Sequence, residues 1–128
     1  MDSVLQDKLL NVARSAMENA YAPYSHFTVG AAVLGKNGDI YSGCNVENAS
    51  YGATICAERN ALCNGVACGE REFTAVAVVS NGDTPYPCGI CLQVMSELAT
   101  NAVVVLCDGK RNIKATTVKQ LLPNGFRL

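Results

Sequence analysis

The chain has no tryptophan, a single histidine, four prolines and an aromatic share of only 6%, so its core has to be built from small aliphatic side chains. Charge is scarce too, at 16% of residues. Ten Lys and Arg stand against eleven Asp and Glu, for a net charge of −1. Without a basic stripe there is no electrostatic footprint for a phosphate backbone, and without an aromatic ladder no platform for a single strand, so no nucleic-acid partner is expected. No run approaches the roughly 18 apolar residues of a membrane span. The N-terminus carries no basic segment followed by an apolar one, so no membrane and a cytoplasmic location are expected. Seven cysteines are an odd number, which argues against a disulfide framework and for a reducing compartment, where thiols serve as metal ligands, nucleophiles or core residues. What is present, 128 residues of which 49% are hydrophobic, suits one globular domain spanning residues 1–128.

Residues 3 to 20 place Leu5, Leu9, Val12, Ala16 and Ala20 on one stripe, with Ser3 and Gln6 as a capping box, and read as a helix. Phe27 to Leu34 and Ile40 to Val46 read as two strands joined by a turn carrying Asn37-Gly38, an antiparallel hairpin. A helix is expected from about Cys56 to Cys68, stopped by Gly69. Phe73 to Val79 is nearly continuous in its apolar residues, as for a central strand buried on both faces. A helix opening near Cys88, a second buried strand from Ala102 to Cys107, a turn at Asp108-Gly109, a short strand near Ile113 and a short helix from Thr117 to Leu122 follow. The βαβαβ succession predicts an α/β fold, with helices on both faces of a mixed, mostly parallel sheet.

The strongest local signal is Cys88-Gly89-Ile90-Cys91. By itself it fits a metal site, a redox dithiol or half of a structural four-cysteine site. Upstream lies Cys56-Ala57-Glu58-Arg59, a third candidate thiolate with a carboxylate two positions on. Three thiolates leave one tetrahedral position of a zinc ion open, which marks a catalytic rather than a closed site. The set matches a known template for zinc deaminases, in which a glutamate that is not a ligand moves the protons. Both segments open helices, whose N-termini favour ionised thiols, and Arg59 is placed to draw charge from the sulfurs. Cys44, Cys63, Cys68 and Cys107 read as packing residues. His26, in a loop before a strand and with no partner at metal spacing, reads as a surface residue.

At these residues the chain resembles the cytidine deaminase family, in particular its short homotetrameric branch. The resemblance extends to Tyr21-Ala22-Pro23-Tyr24-Ser25, Phe27-Thr28-Val29-Gly30-Ala31-Ala32, Gly43-Cys44-Asn45-Val46-Glu47-Asn48 and Leu121-Leu122-Pro123. It implies a three-layer α/β/α fold around a five-stranded sheet, one zinc ion per chain on Cys56, Cys88 and Cys91, and proton transfer by Glu58. It also implies a pyrimidine nucleoside stacked on Phe27, backbone contacts from Ala57, and a sugar hydroxyl between Asn45 and Glu47. Two residues apart on a strand, they face the same way and offer paired polar groups. A neighbouring subunit would add groups near Tyr51 and Phe126. No organic cofactor is required. The family's usual arginine after the second cysteine of the pair is Leu92 here, which removes one cation from the region of the thiolates. The rival readings are a deaminase of another amine heterocycle, such as a nucleoside antibiotic, and a binding module with a structural zinc. A phosphorylated substrate is disfavoured by the acidic Glu47.

Overall fold

The computed structural model describes all residues 1–128. Helix α1 (Ser3–Met17) is followed by strands β1 (Val29–Gly35) and β2 (Ile40–Cys44), helix α2 (Ala57–Ala67) and strand β3 (Phe73–Ser80). Helix α3 (Gly89–Leu98), strands β4 (Val103–Cys107) and β5 (Ile113–Thr117) and the single turn α4 (Val118–Leu121) complete the chain. None of the helices is long and apolar enough to cross a membrane.

The sheet runs β2-β1-β3-β4-β5, which places β3 at its centre as its apolar run predicts. The expectation of a mostly parallel sheet is wrong. Only β3 and β4 pair parallel, while β1 with β2, β1 with β3 and β4 with β5 are antiparallel. The βαβ pattern correctly gives β2 and β3 the same direction across α2, but direction is not adjacency. Strand β1 lies between them, antiparallel to both, and converts what would be one parallel pairing into two antiparallel ones.

Helices cover both faces, giving the three layers. Alternation along β3 sends Val76 and Val78 into a core shared with α2 and α3, and Ala75, Ala77 and Val79 into a smaller one shared with Leu9, Leu10 and Ala13 of α1, while a register irregularity opposite Leu34 and Gly35 lets Phe73 join the larger core. Two glycines permit close approach. A Cβ on Gly30 would lie 2.0 Å from the Ala13 carbonyl oxygen of α1, and one on Gly43 would lie 2.4 Å from the Ala61 nitrogen of α2.

Several boundaries differ from those expected. Asp2 rather than Ser3 caps α1, its Oδ1 accepting the Leu5 N–H at 2.8 Å. The helix ends at Met17, where Asn19 and Ala20 form tighter bonds to residues three back. Strand β2 stops at Cys44 because the Asn45 side chain takes over the next pairing, its Oδ1 accepting the Val29 N–H at 2.9 Å. Val46 then makes separate bridges to Tyr21 and Ile55. The antiparallel bridge to Ile55 fixes the chain immediately before Cys56.

Candidate active site

Cys56 and Cys88 are the N-cap residues of α2 and α3, and Cys91 lies in the first turn of α3. The two helices therefore begin at the same place and bring three sulfurs together, all within 4.8 Å of one another. A zinc ion with Zn–S bonds of about 2.3 Å in tetrahedral array requires sulfurs about 3.8 Å apart, and Cys56 Sγ stands 3.8 Å from Cys88 Sγ. The donor set fits zinc. Cys44, Cys63, Cys68 and Cys107 lie outside the cluster.

Within the cluster, Cys56 is the thiol biased towards ionisation. The Cys91 thiol, then Arg59 and Cys88, stabilise the charged form of Cys56 and lower its pKa to about 5 against the opposing effect of burial. The shared hydrogen bond raises that of Cys91, so the pair holds a proton between them. Arg59 Nη2 lies 3.5 Å from Cys56 Sγ and 3.5 Å from the Thr54 carbonyl oxygen. The Cys91 N–H points at Cys88 Sγ, 3.5 Å away. Leu92 packs its side chain against the α2 and α3 core, leaving Arg59 as the cation bonded to the cluster.

Glu58, in the first turn of α2, is only 4% exposed. Burial pushes its pKa up to about 7, and the Cys56 charge adds to that while its own backbone and Arg59 oppose. It is not one of the three clustered donors. It lies on the wall of a cavity of about 170 Å³ whose lining also includes Cys56, Cys88, Ala57, Asn45 and Phe27.

Phe27 is held by its neighbours' polar groups. The Ser25 hydroxyl accepts its N–H at 3.0 Å, and the Asn45 amide donates to its carbonyl at 2.8 Å. Asn81 brackets it, donating to the His26 carbonyl and accepting the Thr28 N–H. His26 turns the chain with a φ of 58°, a left-handed conformation uncommon outside glycine. The histidine is exposed, as the sequence suggests.

Asn45 and Glu47 do not form a pair on one strand. Asn45 is buried and faces the cavity, with its amide engaged to Phe27 and Val29. Glu47 lines an adjoining pocket of about 320 Å³ with Tyr24, Ser25 and Tyr51, and Thr54 borders both spaces. The Glu47 carboxylate accepts from the Tyr24 N–H at 2.9 Å, the Ser25 N–H at 3.1 Å and the Ser25 hydroxyl. Tyr51 is exposed. Phe126 is exposed and outside the cavity, its backbone tied to the Gln93 side chain by bonds of 2.8 and 3.1 Å. Sequence reasoning missed Asn81, Thr54, Pro85 and Tyr86. The proline pair around Tyr86 was a usable signal for a rigid wall beside Cys88.

Comparison with known proteins points the same way. A family model for the cytidine and deoxycytidylate deaminase zinc-binding region matches residues 4–107. The chain is 47% identical over 122 residues to a cytidine deaminase of Sporosarcina psychrophila, covering 94% of this chain and 90% of that protein. Identity to the cytidine deaminase of Halalkalibacterium halodurans is 48% over 120 residues, covering 92% and 91%. The crystal structure of cytidine deaminase from Burkholderia pseudomallei superposes with a TM-score of 0.88 at 45% identity, covering 98% of this chain and 100% of that one.

Proposed function

The chain belongs to the family of zinc-binding cytidine and deoxycytidylate deaminases, and we propose that it hydrolyses the 4-amino group of free cytidine and deoxycytidine, yielding uridine or deoxyuridine and ammonia. One observation carries the reading. A buried carboxyl, Glu58, shares a cavity with Cys56 and Cys88, whose sulfurs cluster with that of the buried Cys91 closely enough to hold a single zinc ion. When bound with three protein ligands, zinc supplies a water that ionises near neutral pH.

Glu58 is the proton carrier: it accepts the two protons of the attacking water in turn, passing one to N3 of the pyrimidine as the water oxygen bonds to C4 and the other to the amino group as the C4–N bond breaks and ammonia leaves. Phe27 offers a ring face to the base, and the backbone around Ala57, at the start of α2, meets its polar edge. Asn45 and Glu47 border the space for the sugar, and the ionised Glu47 repels a phosphate there. Arg59 draws charge from the Cys56 sulfur. The exposed Tyr51 and Phe126 support a homotetramer in which a neighbouring subunit completes the site, since a domain this small has little material to wall a pocket from water. Seven free cysteines suit the reducing cytoplasm and a role in pyrimidine salvage.

The test is to incubate purified protein with cytidine, deoxycytidine, cytosine, deoxycytidine monophosphate and adenosine while following ultraviolet absorbance. Turnover of the first two and little of the others is expected. Zinc at one per chain with cytidine untouched would identify a structural zinc module instead.

A further inference from the structure

Phe27 borders the catalytic cavity, yet it belongs to neither hydrophobic core and is 36% exposed. A ring in that setting is not locked by core packing, so its placement depends on the backbone that carries it. Asn45 holds that backbone from the β2 side, at the Phe27 carbonyl. From the other side it is held by Asn81, the first residue after β3. The Asn81 amide donates to the His26 carbonyl at 2.9 Å while its Oδ1 accepts the Thr28 N–H at 3.1 Å, so one side chain ties the residues before and after Phe27. The Asn81 N–H adds a bond to the Thr28 carbonyl at 3.1 Å. A primary amide supplies donor and acceptor together, which an ionised aspartate does not. His26, with its φ of 58°, lies in this clamp, and such a conformation persists where the surroundings enforce it.

The next residue meets the ring itself. A Cβ on Gly82 would lie 3.2 Å from Phe27 Cε1 and 3.4 Å from Cδ1. Gly82 is not one of the glycines with a positive φ, so its backbone could carry a side chain; the contact with the ring is what favours glycine there. Gly82 does not line the cavity, so it meets the ring from outside that space. The turn that bears it is stiff. The buried Ser80 donates to the Asp83 carbonyl at 2.6 Å and accepts the Gly82 N–H at 3.3 Å. Because β3 and β4 run parallel, the turn after β4 leaves the same end of the sheet. Its Gly109 donates to the Gly82 carbonyl at 2.8 Å and approaches so closely that a Cβ there would lie 2.7 Å from the Asn81 carbonyl oxygen.

We propose that Asn81 and Gly82 are positioning residues for the base: without touching the nucleoside, they set the Phe27 ring where the pyrimidine stacks, so that binding does not have to order it. The proposal rests on the nucleoside reading above and on the stacking given there to Phe27.

Steady-state kinetics with cytidine on folded, zinc-loaded protein tests it through Phe27→Ala, Asn81→Ala, Gly82→Ala and the combination of each of the last two with Phe27→Ala. Phe27→Ala should raise KM about tenfold, the order of one base stacked on an aromatic ring. Asn81→Ala should raise KM about fivefold and Gly82→Ala about threefold, with kcat within about twofold of wild type, because binding rather than the chemical step is weakened. Gly82→Ala keeps every hydrogen bond of the turn and so reads displacement of the ring apart from any loss of the clamp. With the ring already removed, both substitutions should leave KM within about 1.5-fold of Phe27→Ala alone. A residue that only stabilised the domain would lower the melting temperature without this dependence on Phe27. An unchanged KM in either single variant, an increase of the same size in the Phe27→Ala background, or a loss confined to kcat would each overturn the assignment. Wild-type KM in Phe27→Ala would defeat the stacking reading, and wild-type protein that leaves cytidine intact would defeat the nucleoside reading, in either case with this proposal.

Discussion

The two faces of the sheet are covered by helices in different ways. On one, α1 lies across alanines, a flat contact in which Leu9, Leu10 and Ala13 fill the space and no titratable cluster forms. On the other, α2 and α3 pack on the larger Val76, Val78 and Phe73, and their first residues converge on one point. Helix N-termini carry unpaired N–H groups and a positive field, so convergence makes a place where thiolates and a buried carboxyl can be held. Burial alone does not make a site; what matters is which ends of the helices meet. Cys107 illustrates the point. It is buried like Cys91, but on the α1 face, where its sulfur meets Arg14 at 3.5 Å and no second thiol.

The largest effect should come from breaking the convergent face at its sulfurs. Cys56→Ala, Cys88→Ala and Cys91→Ala should each take bound zinc from about one per chain to near none and abolish turnover, as expected when a three-ligand site loses a ligand. Cys107→Ala and the exposed Cys63→Ala should keep both. Metal quantification decides, and zinc retained in Cys56→Ala but lost in Cys63→Ala would reverse the assignment. Glu58→Gln comes next. It should retain zinc, because Glu58 is not a donor, yet lose activity by about 10²–10⁴-fold as a general acid and base is removed. More than about a tenth of wild-type turnover would be too much for that role.

The two glycines pose the same steric problem on opposite faces. Gly30→Ala forces α1 off the sheet at the Ala13 carbonyl, and Gly43→Ala forces α2 off at Ala61 and Ala57. Overpacking of this kind costs about 1–3 kcal/mol, so denaturant titration should show both variants destabilised by similar amounts. Their kinetics should differ. Gly30→Ala displaces a helix with no part in the cavity, whereas Gly43→Ala moves the helix that carries Glu58 and follows Cys56. Activity per folded, zinc-loaded molecule should stay within about twofold for the first and fall about tenfold or more for the second, since small misplacements of catalytic groups are costly. Equal activity would mean that the site tolerates movement of α2.

Much of this asymmetry is legible in the sequence. Cys56, Glu58, Cys88 and Cys91 could be read because each ligand segment is local: the spacing within a helical turn and the capping position are properties of a few consecutive residues. The placement of β1 could not, because nothing local to Val29–Gly35 says that it will separate β2 from β3. Asn45 was recognised as a site residue but placed on a regular strand. Its attachment to Phe27 and Val29 comes from the sheet edge folding back, which alternation does not encode. Thr54 and Tyr86 were missed although each lies two residues before a clustered cysteine, because they reach the cavity from irregular loops that periodicity does not describe, and Asn81 was missed because its bonds to His26 and Thr28 join segments far apart in sequence. Phe126 drew notice as an aromatic near the chain end, and within one chain its backbone is hydrogen-bonded to the Gln93 side chain while its own side chain stays exposed.

The smallest expected effect lies at the rim, where the convergent face passes into loop. The Glu47 carboxyl is held below the usual carboxylate range by the Ser25 hydroxyl first and then by the Tyr24 and Ser25 N–H groups, with burial opposing. A carboxyl whose pKa is depressed by folding stabilises the fold above its unfolded pKa, about 4.3 for Glu, and that contribution is lost as pH falls through the folded value. Glu47→Gln cannot ionise and should remove that dependence. The variant should melt slightly below wild type at pH 7, and the gap should close as pH drops below about 4. The carboxylate is exposed to solvent, so salt should also shrink the gap. Differential scanning calorimetry of the two proteins across this range reads the difference directly, because loss of zinc at low pH is common to both and cancels. A gap independent of pH would mean that Glu47 supports the Tyr24–Ser25 turn through its shape alone, leaving its charge free for the substrate.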